Sequence, residues 1–302
     1  MYYKNSKIHL SEDRSKNCIA IDNIDYELIS LGFDDSTGKG SNSSVYKLFS
    51  NDESKDFIIK FCNLICDKDG NSGNKKFDLF KREILALENA KQNSNTALIE
   101  IYYKDICKID DKYFMCYIME YADSDLKEFL SKKNELTIQQ KILICHQILQ
   151  AIESIHKLGI YHRDIKPDNF LLVGNNWKIG DLGLIAFRKE DEKDIKYKGM
   201  IGPKGFMSPE ATNKFYFNSE NAFCSVDCNI DEKSDIFQLG KLFWYILQGD
   251  VPTGQLEIED FKLDAQFFHD ILIPMLQYSK ARRSDIDTLK KSFVPILKAN
   301  GL

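Results

Sequence analysis

The chain has 302 residues, 43% of them hydrophobic and 29% charged, with a formal net charge of −5. That composition suits a buried core and excludes intrinsic disorder, and the acidic balance argues against nucleic acid as the main partner, because phosphate binding needs a basic surface. No apolar run approaches the ~18 residues that span a bilayer, and the opening MYYKNSKIHLSEDRSK is too polar for a secretory signal peptide.

Residues 1–25 read as a polar extension with room for one short strand. From Tyr26 to about Phe61, apolar clusters such as Leu28-Ile29, Val45-Tyr46 and Phe57-Ile58-Ile59 are broken by Gly, Ser, Asn and Asp, which marks strands. Residues 66–76 read as a loop. Phe77, Phe80, Ile84 and Leu87 then step by three and four along a helix face. Two further strands are predicted at 98–108 and 113–121. The remainder is mostly helical. Ile142, Cys145, Leu149 and Ile152 form a stripe, with Thr137 and Gln140 as a capping box at its start and Gly159 as its stop. Residues 235–248 are apolar nearly all round, the mark of a helix buried in the centre of a lobe. Met275, Leu276, Leu289 and Phe293 predict terminal helices. Strands first and helices later predict an α+β chain of two lobes.

The eight cysteines are scattered, as free thiols in a reducing compartment are. Cys62/Cys66 and Cys224/Cys228 share a C-x3-C spacing, open to a zinc reading or to ordinary packing and surface thiols.

The chemistry concentrates in HRDIKPDN at 162–169, followed at 181–183 by Asp-Leu-Gly. Asp164 is placed to accept a proton from an alcohol and Lys166 to neutralise a transferring phosphoryl group. Asn169 and Asp181 offer hard oxygen ligands for Mg²⁺. Upstream, Gly38-Lys39-Gly40-Ser41-Asn42-Ser43-Ser44-Val45 is a Gly/Ser-rich turn able to bring backbone N–H groups to phosphates; a hairpin without a ligand is its plain alternative. Lys60 ends a hydrophobic strand, a place where a lysine is often only solvated.

Jointly these strings resemble eukaryotic-type serine/threonine protein kinases, from about Leu31 to Leu297. The resemblance implies a two-lobed protein-kinase-like fold: a small β-rich N-lobe at 26–119 with one main helix, a hinge at 120–122, and a larger, mostly helical C-lobe at 123–302. It implies that Lys60 reaches the α- and β-phosphates of ATP and pairs with Glu83, with Glu88 as rival. Gly38, Gly40, Ser43 and Val45 would cover the phosphates. Ile58, Met119 as gatekeeper, Glu120, Ala122 and Leu171 would meet the adenine, and Asp125 the ribose, although an exposed acid at a helix start explains Asp125 equally. Asp164 and Lys166 become catalytic, Asn169 and Asp181 the Mg²⁺ ligands. Glu210 would pair with Arg283, or with Arg282, and Asp235 would brace the catalytic loop. The partners implied are ATP and a protein substrate, with no nucleic acid and no membrane span, in the cytoplasm of its own cell or of a host cell.

The departures from the family pattern are specific. Ser43 replaces a glycine, Ile58 an alanine and Pro203 a threonine. Between Leu182 and Met207 the only hydroxyl is Tyr197. Arg163 is of the kind that often awaits a loop phosphate; Glu190, Asp191, Glu192 and Asp194 read either as offering a carboxylate in its place or as a plain solvated loop. The long stretch at 212–234 reads either as a docking site for substrates or regulators or as a passive loop. A pseudokinase acting as a nucleotide-binding or scaffolding module is the alternative function, which Ile58 and Pro203 favour. A small-molecule phosphotransferase is the third, which Ser208-Pro209-Glu210 opposes.

Overall fold

Alternating and clustered apolar residues draw the N-terminal half of the chain into a sheet. The computed structural model describes residues 1–21, 24–31, 42–49, 56–132, 136–188, 201–217, 226–254 and 256–302, in two units, Met1–Ala122 and Asp123–Leu302. The first opens with a hairpin of β1 (Tyr2–Lys4) and β2 (Lys7–His9). Strands β3 (Cys18–Ile21), β4 (Ile24–Ile29), β5 (Ser43–Phe49), β6 (Phe57–Cys66), β7 (Ile101–Ile109) and β8 (Lys112–Glu120) follow. They form one sheet in the order β3-β4-β5-β6-β8-β7, antiparallel throughout. Helix α1 (Lys75–Gln92) leaves β6 and is capped by Asn74, whose side chain accepts from Lys76 N.

Residues 1–25, expected to carry at most one short strand, carry β1, β2 and β3. Ile8 is 1% exposed and packs in one core cluster with Tyr46, Phe61 and Phe114. Burying such a side chain contributes about 2 kcal/mol. Polar contacts fix the register: Tyr46 Oη donates to Ile8 O at 2.6 Å, and Ile8 N donates to the buried Asn63 Oδ1 at 3.3 Å.

The pairing register decides what shares a face. Val45 lies opposite Lys60, Lys60 opposite Tyr117 and Ile58 opposite Met119. Because side chains alternate along a strand, Val45, Ile58, Lys60 and Met119 share one face, the one on which α1 lies. The core cluster with Tyr46, Ile59 and Phe61 occupies the other.

The second unit is built around helices. After β9 (Ser124–Asp125) come α2 (Leu126–Lys132) and α3 (Ile138–Lys157). The Thr137/Gln140 capping box is formed. Gly159 adopts φ +72°, a left-handed conformation that ends the helix at little cost only in glycine. Strand β10 (Ile160–Tyr161) precedes the 162–169 loop, and β11 (Phe170–Val173) and β12 (Asn176–Ile179) follow it; β13 (Ala186–Phe187) returns to pair with β10. Next are α4 (Pro209–Phe217), α5 (Glu232–Gln248) and a last helix, Ile286–Ala299. Helix α5 starts three residues before the apolar run because Asp231 caps it. Ile236, Leu239, Leu242, Phe243 and Ile246 are all at most 1% exposed, as a helix that is apolar all round requires. Three polar residues are sealed within it, Ser234, Asp235 and Gln238, all 0% exposed. Among the described residues no helix is long and apolar enough to cross a membrane.

Candidate functional site

In the first unit Lys60 sits inside the apolar run of β6, 7% exposed, and Glu83 on the inner face of α1, 1% exposed. Lys60 Nζ meets Glu83 Oε1 at 2.7 Å, and Tyr117 Oη donates to the same oxygen at 3.1 Å. Charges this buried persist only when paired and hydrogen-bonded. Glu88, the rival partner, pairs with Lys104 at the surface. The face register puts Val45, Ile58 and Met119 around Lys60, and Ser43 lies opposite Cys62 at the start of β5. At the end of the unit, Glu120 exchanges hydrogen bonds with Glu100: its N–H donates to Glu100 O and its Oε1 accepts from Glu100 N at 2.7 Å. Ala122 closes the unit, half-buried.

In the second unit the 162–169 loop gathers its own charges. Lys166 Nζ meets Asp164 Oδ2 at 2.8 Å. Asn169 Nδ2 donates to Asp164 O at 2.7 Å and to Asp164 Oδ2 at 2.9 Å. With its nitrogen spent there, the amide oxygen is the atom of Asn169 left for a hard cation. Partial burial works against the Lys166 charge, but Asp164 outweighs it and holds the ammonium above its usual pKa. Asp181 Oδ1 accepts from Gly183 N at 3.0 Å, and Leu182 beside it is fully buried. Gly180 is required by close approach: a Cβ there would stand 2.4 Å from Leu171 Cδ1. Leu171 pairs across β11 with Asp125. Asp125 does cap a helix, accepting from Glu128 N at 2.9 Å, but it is 8% exposed rather than open to solvent.

What holds this loop comes from α5. Asp235 accepts from His162 N at 2.7 Å and Arg163 N at 2.8 Å, and His156 Nε2 meets it at 2.9 Å. Gln238 Oε1 accepts from Ile165 N at 2.8 Å, and Gln238 Nε2 donates to Arg163 O at 3.2 Å. Four main-chain groups of the loop are thus pinned by two side chains one helical turn apart. The brace matters because Arg163 holds φ +67°, a conformation costly for a non-glycine residue. Sequence reasoning named Asp235 but missed Gln238 and His156. A glutamine three residues from an aspartate in an otherwise apolar helix was the available signal.

His162 is fully buried, stacked on Phe170 with ring centroids 6.5 Å apart, and Asp164 N donates to its Nδ1 at 3.2 Å. That bond assigns the ring proton to Nε2. Burial holds the imidazole below its ordinary pKa of 6.5. A depressed folded pKa means stability present above pH 6.5 and lost as pH falls toward the folded value. Asp235 is shifted the same way: burial opposes its charge, but the His156 hydrogen bond and neighbouring contacts keep its pKa lowered, so it adds a second loss at lower pH. The melting temperature is therefore expected to fall as pH drops from about 7.5 to 5. The Asp235 loss lies below its ordinary pKa of 3.8, so His162→Phe should flatten that slope; identical slopes in both proteins would contradict the assignment.

Behind the loop, Arg283 and not Arg282 pairs with Glu210, Nη2 to Oε1 at 3.0 Å, and Ser234 Oγ donates to Glu210 Oε2 at 3.0 Å. Pro203 O accepts from Phe206 N at 3.0 Å, one turn before the 208–210 segment. Gly38, Gly40, Tyr197 and the carboxylates at 190–194 lie outside the described residues, as does Cys224. Cys62 and Cys66 are buried in β6. Burial pushes the Cys62 thiol to about 11, which suits packing rather than metal ligation, and no group of three or more His, Cys, Asp or Glu side chains able to hold a metal occurs among the described residues.

Residues 33–297 match the family model described as "Protein kinase domain". The chain is 28% identical over 258 residues to serine/threonine-protein kinase mph1 of Schizosaccharomyces pombe, covering 85% of this chain and 36% of that protein. It is 26% identical over 267 residues to dual specificity protein kinase TTK of Mus musculus, covering 88% and 29%. To serine/threonine-protein kinase MPS1 of Saccharomyces cerevisiae it is 26% identical over 293 residues, covering 96% and 36%. The chain thus spans about a third of the length of these curated relatives.

Proposed function

Because the chain belongs to the protein kinase domain family, we propose that it transfers the γ-phosphoryl group of ATP to serine and threonine hydroxyls of proteins. The observation that carries this reading is the cluster of Asp164, Lys166 and Asn169 on a loop braced by Asp235 and Gln238. Asp164 accepts the proton of the attacking hydroxyl. Lys166, kept charged by Asp164, opposes the negative charge on the phosphoryl group in flight. Lys60, held extended by Glu83, binds the α- and β-phosphates; Ile58, Met119, Glu120, Ala122 and Leu171 are proposed to meet the adenine and Asp125 the ribose. Gly38, Gly40, Ser43 and Val45 belong to the proposed phosphate cover.

The donor set at Asn169 and Asp181 fits Mg²⁺, which prefers oxygen and takes only one or two protein carboxylates beside substrate phosphates. Bound there, the ion supplies positive charge against the phosphate oxygens. The Lys166-Pro167 pair supports serine and threonine as acceptors; TTK, named as dual specificity, makes tyrosine the residue to check. The 212–234 stretch is proposed to dock a protein substrate or regulator, a reading supported by Phe215, Tyr216 and Phe217, of which Tyr216 is 70% exposed. A reducing cytoplasm is supported by seven free thiols among the described residues.

The test is incubation with γ-labelled ATP, Mg²⁺ and a generic protein substrate, followed by phosphoamino-acid analysis. Labelled phosphoserine and phosphothreonine are expected. Bound nucleotide with no transfer would replace this reading by the pseudokinase. Lys60→Met should lower kcat/KM about a hundredfold, since a charge aimed at the phosphates is lost; a loss under threefold, measured by steady-state kinetics, would detach Lys60 from the phosphates.

A further inference from the structure

The segment before α5 is tied down in an unusual way. Lys280 Nζ donates to Asn229 O at 2.6 Å and meets Asp227 Oδ2 at 2.9 Å and Asp231 Oδ2 at 3.1 Å. Residues 227, 229 and 231 thus wrap one ammonium, which is only 17% exposed. Asp227 Oδ1 also accepts from Asn229 N at 2.9 Å, and Asp231 Oδ1 from Lys233 N at 2.9 Å, so the loop is closed on itself and onto the start of α5. Ile230 is 1% exposed and packs with Ile201, Ala211 and Met207. Its carbonyl accepts from Arg163 Nη2 at 3.2 Å. Arg163 immediately precedes Asp164 and is itself 6% exposed.

We propose that Lys280 is a positioning residue: by gathering Asp227, Asn229 and Asp231 it holds the Ile230 carbonyl on the Arg163 guanidinium, and so fixes Asp164 without a phosphate on the chain. The physical argument is one of charge. Two carboxylates converge on a single cation, and without it they repel. The loop then opens, and Ile230 O leaves a buried guanidinium for which a lost acceptor is costly. Partial burial works against the Lys280 charge, yet the two carboxylates hold its pKa above the usual value, so the latch stays closed across the neutral range. A loop carbonyl serves Arg163 where the family pattern often calls for a phosphate. This inference rests on the phosphoryl-transfer reading above.

The experiment uses phosphatase-treated full chain with Mg·ATP and a generic protein substrate, together with amide hydrogen exchange over 226–231. Lys280→Met is expected to lower kcat about tenfold and change the KM for ATP less than about twofold, while exchange over 226–231 accelerates. Lys280→Arg should restore most of the loss. In an Arg163→Ala background, Lys280→Met should cost nothing more, because both act through one contact. Equal fractional losses in the two backgrounds would make Lys280 merely structural and overturn the proposal, as would wild-type protein that loses activity on phosphatase treatment. Should Lys280→Met fail to fold, Asp227→Asn, at a half-exposed carboxylate, is read the same way. Wild type inactive before and after phosphatase would instead sink the kinase reading, and exchange alone then decides the latch: unchanged protection in Lys280→Met overturns it.

Discussion

Asp164→Ala is expected to lower kcat about a thousandfold while leaving the fold and nucleotide affinity close to wild type. A well-placed general base is worth about 10²–10⁴ in rate, and this carboxylate has further duties. It is the counterion of Lys166 and an acceptor for Asn169 Nδ2, so its removal also loosens the cation and the metal ligand beside it. The fold should survive, because the loop backbone hangs on Asp235 and Gln238 rather than on Asp164. Asp164→Asn separates the two effects. The amide still accepts from Lys166 but no longer takes a proton, so it should lose most of what alanine loses. Steady-state kinetics on both variants, with circular dichroism as control, is the check. Transfer within about tenfold of wild type in either variant would remove Asp164 from the chemistry.

Arg283→Ala is expected to be the most destabilising single substitution at the site's support. The Arg283 side chain is 0% exposed and that of Glu210 3%. Arg283 also donates to Lys233 O at 2.6 Å and Gln277 O at 3.0 Å. Removing one partner of a buried pair leaves an uncompensated charge and costs about 3–5 kcal/mol. For a chain of this size that lowers the melting temperature by about 5–8 °C. Arg283→Lys should recover little, since an ammonium cannot match the guanidinium fork. Scanning calorimetry on the three proteins decides it; a shift under about 2 °C would mean that the pair relaxes into solvent on mutation.

These two sites were legible for different reasons. HRDIKPDN is contiguous, so its chemistry is visible without a fold. The Lys60–Glu83 pair needed only the helix face: Glu83 falls on the buried side of α1 and Glu88 on the open side, facing Lys104. The capping box of α3 was readable because its partners are three residues apart. The N-terminal strands were not readable. Ile8 has only Leu10 for apolar company between Lys4 and Asn17, and the groups that hold it, Tyr46 and Asn63, lie 38 and 55 residues further on. Lys280 looks like any surface lysine until the distant 227–231 loop closes on it. Gln238 was hidden by its apolar helix, where a lone polar residue stands out only once Asp235 is known to face the same loop.

Lys60, Asp164, Asn169 and Asp181 are proposed to act on one Mg·ATP. A double-mutant cycle on kcat/KM with Lys60→Met and Asp181→Asn tests this most directly. Groups acting on one substrate as a unit lose far less together than the product of their single losses, so the double variant should be close to the worse of the two singles. Independent, fully multiplying losses would contradict the account.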